Sequence, residues 1–489
     1  LQSMKGVGRL IEVYGLKGDK LNEPDPKNYE KDYCGCHSDD EVPSVVILPF
    51  KNKGKEEDEF YSYGIWLDLI TEVSGAGLIR VASKQQIDEV SDLSYREIPN
   101  KLCVRYIVTG ELWKLEDKFQ LFIELYDTKE SKVVWTDKWQ ENWDNLPTIK
   151  GNLSDGLLKA LSTKPKVERQ VETNNTEAYE YYLKAKYKFT KRKNMEDSKI
   201  VRGLIMKAIE LDDNLLIAKS FLGSTYTVEG NFKKARKIYE DALVQSEKLN
   251  YKRANAELLE SLGILYSKFK KLDKAISYLN RSLEIRKELG LKNPIELSKV
   301  GIGFIYWELC NYDKALELME SVHSYLIKRG DTDLGDLNYH LGALYNAKGL
   351  YQKAFDNYEI CLRIRKEKGD LDSISYPLSG LGWLYFQKKD YKNALKYLQE
   401  AYDICKEINL QGWGELLGIS ILLSLTKKQL EMPYDDIDFM TILNQSELII
   451  YHIDNYNLYQ LLEDTSYLET AYNQVQENAS AMEEELSKK

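Results

Sequence analysis

The chain has 489 residues, of which 43% are hydrophobic and 30% charged, with 10 Pro, 29 Gly, 35 Tyr and only 4 His. That length exceeds one ordinary core and predicts roughly three domains, and the composition excludes a disordered or collagen-like polymer. The formal net charge is -10, but residues 431–489 hold 13 acidic residues against two lysines, so the rest is nearly neutral and a basic footprint for nucleic acid is excluded.

No run approaches the ~18 apolar residues of a membrane-spanning helix, and none is expected. The six cysteines, at 34, 36, 103, 310, 361 and 405, are scattered. Cys310, Cys361 and Cys405 fall inside helical patterns, where a thiol acts as a small apolar group. This usage fits a reducing, cytoplasmic compartment. No secretory leader opens the chain, and the first residue is Leu1, so the natural N-terminus is expected upstream.

Residues 1–16 read as β-prone through Leu10, Ile11, Val13 and Tyr14, and residues 17–43 as a turn-rich linker. Residues 44–162 read as a mixed α and β domain. Val45 to Phe50 suits a buried strand. Helical spacing runs over 57–76, a strand over 78–82, and short helices over 84–93 and 95–102. Three strands follow, over 105–114, around Phe119 to Leu125 and around Val133 to Trp135. Their short turns predict antiparallel hairpins, and a helix over 145–161 closes an α+β unit. Residues 163–176 form a second linker.

From 177 to 430 the texture is helical with an internal period. Gly, an aromatic three residues on and Ala twelve residues on recur at Gly223/Tyr226/Ala235, Gly263/Tyr266/Ala275, Gly303/Tyr306/Ala315, Gly342/Tyr345/Ala354 and Gly382/Tyr385/Ala394. The glycines step by 40, 40, 39 and 40 residues. Gly is expected to let a second helix approach the first, Ala to form the other half of that contact, and Tyr to fill the space between. Each pair exposes an apolar stripe that only stacking buries. With Leu222-Gly223, Leu262-Gly263, Leu341-Gly342 and Leu381-Gly382, these units resemble the tetratricopeptide repeat, with Ile302-Gly303 as the departure. That family's repeat is about 34 residues; the longer units here resemble those of kinesin light chains. Residues 177–213 resemble a degenerate first repeat, and 431–489 a degenerate repeat with acidic capping helices. About six repeats are expected in all.

The resemblance implies that the first helix of each pair lines a concave groove. Carried over by position, it points to Glu257, Glu260, Phe304, Trp307, Glu308, Tyr339, His340, Asn346, Trp383 and Phe386 as partner-binding residues. Exposed aromatics on such a face mark binding; tight coiling that buries them is the alternative.

Ile47-Leu48-Pro49-Phe50, Tyr61 to Ile65 and Thr109-Gly110-Glu111 stand in an order that resembles the TolB-like (FlgO-like) domain over about 43–162. Met4 to Tyr14 resembles the last strands of a class III nucleotidyl cyclase, with Met for Leu and Leu for Pro, and Tyr456 to Tyr472 resembles the tail of such proteins. Together these resemblances imply the C-terminal part of an adenylate or guanylate cyclase, cut after its catalytic domain, with a homodimer through the missing domain.

The chain itself carries no P-loop, GxGxxG, HExxH or GxSxG signature. Cys34-Gly35-Cys36-His37 supplies at most three soft ligands at cramped spacing, whereas structural zinc takes separated pairs, so no metal, cofactor or catalytic residue is expected. The leading reading is a non-catalytic interaction and regulatory module that binds a protein or peptide in its groove. An enzyme reading and a periplasmic TolB-type assembly reading stand against it. A lipoprotein leader upstream would favour the last, and paired metal-binding aspartates upstream the cyclase link.

Overall fold

The computed structural model describes residues 42–486 apart from 91–92, 96, 116–117, 162, 164–172, 193–194, 330, 332–333, 369–370, 408–412, 435–442 and 444–451. The expected strands of residues 1–16, most of the first linker, the Cys34-Cys36-His37 group and most of the second linker lie outside the described residues. The protein is mostly helical, with a small strand-containing region near its N-terminus.

That region begins with β1 (Ser44–Ile47), β2 (Lys51–Asn52) and α1 (Glu59–Ala76). Next come β3 (Arg80–Val81), α2 (Lys84–Asp88) and α3 (Ile98–Leu102), all shorter than the sequence pattern predicts. The long strands β4 (Tyr106–Leu115), β5 (Lys118–Asp127) and β6 (Lys132–Asn142) follow, then α4 (Ile149–Ala160). The sheet order is β3-β1-β4-β5-β6, with β2 beside β4. β1 runs parallel to β3 and β4, and β4, β5 and β6 are antiparallel neighbours. A strand with parallel neighbours on both sides is covered on both faces, and every residue of β1 is buried. In β5, Phe119, Leu121, Ile123 and Leu125 are buried and alternate with half-buried residues, as the period of two requires.

α1 is apolar on more than one side, the mark of a helix buried all round. Ile65, Trp66, Leu69 and Val73 are at most 1% exposed. The Trp66 indole donates to the Ile47 carbonyl at 2.7 Å, fixing α1 on β1. Gly77, with φ of +63°, ends the helix in the left-handed cap that glycine favours.

Helical pairs follow: α5 (Thr176–Lys191) with α6 (Met195–Leu211), α7 (Leu216–Val228) with α8 (Phe232–Lys248), and α9 (Lys252–Lys268) with α10 (Leu272–Glu288). Then come α11 (Lys292–Glu308) and α12 (Tyr312–Arg329), α13 (Gly335–Ala347) and α14 (Tyr351–Lys368), and α15 (Leu371–Gln387) and α16 (Tyr391–Glu407). α17 (Trp413–Gln429), α18 (His452–Leu462) and α19 (Thr465–Leu486) complete the chain. The chain divides into two compact units. The first holds residues up to 270 with 274–299 and 327–332, and the second holds 271–273, 300–326 and 333–489. The strand-containing region and the first helical pairs share one continuous buried core, from Val45 to Ala218.

The forty-residue period has a specific physical content. A Cβ on Gly263, Gly342 or Gly382 would lie 2.5–2.8 Å from the side chain sixteen residues on, at Leu279, Tyr358 and Leu398. That side chain enters the space the glycine leaves, and the recurring Ala contributes its backbone to the contact, with the Ala275 carbonyl 3.2 Å from a Cβ on Gly263; the alanines are fully buried. The recurring Tyr does more than fill space. Its ring carries a Lys from the second helix: Lys234 over Tyr226 at 5.4 Å, Lys274 over Tyr266 at 5.5 Å, Lys314 over Tyr306 at 4.7 Å and Lys353 over Tyr345 at 5.1 Å. Seven residues past each glycine the backbone turns left-handed, at Gly230, Lys270, Cys310, Gly349 and Lys389. Cys310 is therefore an exposed turn residue and not part of a helix. Asn231, Asn311 and Asp390 follow this turn and accept from the third backbone N–H of the next helix.

Two substitutions separate these effects. Gly382→Ala forces a Cβ onto Leu398 and lowers stability by about 2 kcal/mol. Lys389→Gly relieves a left-handed residue and raises it by about 0.5–1 kcal/mol. Urea midpoints of the full chain measure both. A third prediction concerns pH. Burial raises the Asp454 carboxyl from 3.8 to about 6. The folded chain thus holds that proton more tightly than the unfolded chain, and this residue costs stability as pH rises from about 4 to 6, by on the order of 2 kcal/mol. Asp454→Asn flattens that part of the pH–stability profile.

Candidate functional site

In the second unit the C-terminal half of α11, with α13 and α15, presents aromatic side chains. Phe304 and Trp307, one helical turn apart on α11, stack at 16° with centroids 6.3 Å apart. His340 meets Phe304 edge-on at 4.6 Å and Trp307 at 5.9 Å. Tyr339 packs on His340 at 5.2 Å and on Tyr376 of α15 at 5.8 Å. Further along α15, Trp383 and Phe386 lie nearly parallel, 5.9 Å apart, with Tyr391 against Phe386. All four of these tryptophan and phenylalanine rings are half-buried, so each ring pair covers only part of its own apolar surface.

Two polar atoms on α13 stand out. His340 Nδ1 and Asn346 Oδ1 are buried with no hydrogen-bond partner in the described structure. Polar atoms buried without a partner cost about 1–3 kcal/mol each. Burial pushes the His340 imidazolium below its ordinary value against the pull of Asp336, so this histidine is neutral at neutral pH. Arg365 is the cation beside this face. It bonds Asp336 at 2.6 Å and Cys361 Sγ at 3.2 Å, and its guanidinium lies 6.0 Å from the Tyr376 ring centre. Glu308 is exposed at the end of α11.

Glu257 and Glu260 belong to the first unit. Glu260 receives two hydrogen bonds of 2.6 Å from Arg286, which also donates to Ser298 Oγ at 2.7 Å. Arg286 is 5% exposed, so Glu260 is the counter-charge of a buried guanidinium. Glu257 lies 3.6 Å from Arg253 and lines a cavity of about 420 Å³ with Leu67, Tyr182, Phe189, Ile217 and Phe221. Leu67 comes from α1, which lies on the first-helix face of this unit.

Sequence reading thus named eight residues that share the first helices of the second unit and two that carry charge pairs in the first. It missed Tyr376, although that residue precedes Trp383 by seven, a spacing that returns to the same helix face. Among the described residues no group of three or more His, Cys, Asp or Glu is placed to hold a metal ion, and no helix is long and apolar enough to cross a membrane.

Residues 214–288 and 333–407 match the family model described as the tetratricopeptide repeat, so the chain contains such repeats. Response regulator aspartate phosphatase I of Bacillus subtilis (strain 168) is 27% identical over 281 residues, covering 52% of this chain and 66% of the relative. Transcriptional activator NprA of Geobacillus stearothermophilus is 26% identical over 220 residues, covering 43% of this chain and 54% of the relative. The chain therefore spans between about half and two thirds of the length of these relatives. Among solved structures, the apo form of the quorum sensor NprR from B. thuringiensis aligns at 18% identity and a TM-score of 0.47, over 70% of this chain and 96% of that one.

Glu260→Ala strands Arg286 without its counter-charge and lowers stability by about 3 kcal/mol. The double change Glu260→Ala with Arg286→Met recovers most of it. Chemical denaturation of the two variants checks this.

Proposed function

We propose that the second unit binds a peptide or protein segment across the first-helix face of α11, α13 and α15, and that the chain is a non-catalytic interaction and regulatory module. The carrying observation is the half-covered rings: Phe304–Trp307 and Trp383–Phe386 offer apolar surface. The segment that fits carries apolar side chains for the rings. The family match supports an interaction role, and one of the two relatives is a transcriptional activator by name.

The finer reading places this chain after a nucleotidyl cyclase domain, with a TolB-like region over 44–162, a homodimer through the missing domain and a cytoplasmic setting. Its support is confined to the short resemblances at residues 4–14, 43–162 and 456–472, and the two curated relatives are a phosphatase and a transcriptional activator by name.

Peptides selected from a randomised display library on the full chain test the binding face. Trp307→Ala and Trp383→Ala are each expected to weaken a selected peptide at least tenfold in a calorimetric titration, with helical content intact. Equal affinity for both variants and the parent chain removes the proposal.

A further inference from the structure

Helix α1 packs on α4 and also meets the first helices of three helical pairs. Near its start, a Cβ on Gly64 would lie 2.7 Å from Leu183 of α5, so backbone and side chain are in close contact there. One turn on, the Asp68 carboxylate accepts from the Tyr179 hydroxyl at 2.5 Å and pairs with Lys186, both on α5. Four residues further, Glu72 accepts two hydrogen bonds from Arg253 of α9, at 2.8 and 2.9 Å. At the C-terminal end the Ser74 carbonyl accepts from the Asn293 side-chain amide of α11 at 2.7 Å, and Gly77 abuts Lys292. Asn293 is itself held by Arg329. The other side of α1 is the core of the sheet, through Trp66, Leu69 and Val73.

We propose that α1 is the resident ligand of the first-helix face in the first unit, and that it braces α5, α9 and α11 at a fixed spacing. The surface reads a helix with carboxylates four residues apart, one turn of α-helix. It supplies Lys186 and Arg253 to those carboxylates, and it sets Asn293 and Lys292 at the carbonyl end, where the helix dipole is negative. Asp68 and Glu72 are 7% and 8% exposed. Carboxylates that deep are expensive without partners, and apolar residues at both positions would suit a helix that merely packed. The ties are therefore specific to register. They also couple two parts of the unit: because the opposite side of α1 is sheet core, a change in the spacing of α5, α9 and α11 moves the sheet region with it.

The near end and the far end of α1 differ. The near end shares the continuous apolar core with α5, whereas the far end holds α9 and α11 through polar ties. Breaking the far tie should loosen α9 and α11 and leave α5 and α6 in place.

Amide hydrogen exchange on the full chain tests this. Glu72→Arg is expected to raise exchange at least tenfold over residues 255–262 and 295–299, with α5, α6 and α13 to α16 unchanged. Glu72→Gln, which keeps the shape and drops the charge, gives a smaller rise over the same residues. The exchanged pair Glu72→Arg with Arg253→Glu restores exchange to within threefold of the parent chain. Unchanged exchange in Glu72→Arg overturns the proposal. So does a rise that spreads evenly over the whole unit, or a charge-exchanged variant no better than the single one.

Discussion

In five of the six helical pairs among the described residues, the two helices close over a position on the first helix that has no side chain. Leu279, Tyr358 and Leu398 enter the space above Gly263, Gly342 and Gly382, where a methyl group would collide. Dense interiors tolerate such intrusion badly, so the glycine sets the distance between the two helices. Everything periodic follows from it. The left-handed turn seven residues later reverses the chain, the capping Asn or Asp starts the next helix, and a lysine settles over the recurring tyrosine. The outward side of the first helix is left free of these duties. That is where the chain places residues that vary from one unit to the next.

The two units use this side differently. In the first, α1 lies on it, and the acids there are neutralised by Lys186 and Arg253. In the second, half-buried aromatic rings lie on it. A charged face suits a built-in helix whose register must be held. A half-covered aromatic face suits a segment that arrives from outside, because apolar surface removed from water is worth about 25 cal/mol per Å² whatever the partner's exact sequence.

The repeat was legible because its determinants are local. Gly, Tyr and Ala recur within one pair of helices, and their spacing survives in the linear chain. Turns next to Asn311 and Asp390 were legible, but the left-handed residue of three turns was not, since Lys270, Cys310 and Lys389 are residues that rarely adopt that conformation. Cys310 consequently reads as helical in the sequence and lies in a turn. The sheet order was partly legible, through the apolar run of β1 and the alternation in β5. The short β3 read longer than it is because Leu78, Ile79 and Ala82 flank it as apolar residues. The seating of α1 left no local trace. Asp68 and Glu72 find their partners 111 to 181 residues away, and nothing in α1 itself distinguishes a carboxylate awaiting Arg253 from one facing water. Glu260 was misleading for the same reason, its charge answered by Arg286 twenty-six residues on.

Side-chain oxidation of the tryptophans, with and without a saturating library-selected peptide, probes the binding face most directly. The chain has eight tryptophans, and their oxidation is resolved residue by residue in a mass spectrometer. The account predicts protection at Trp307 and Trp383, and none at Trp66, Trp135 or Trp139 of the sheet region. Protection confined to the sheet region, or bound peptide with Trp307 and Trp383 oxidised at their free rates, would contradict it.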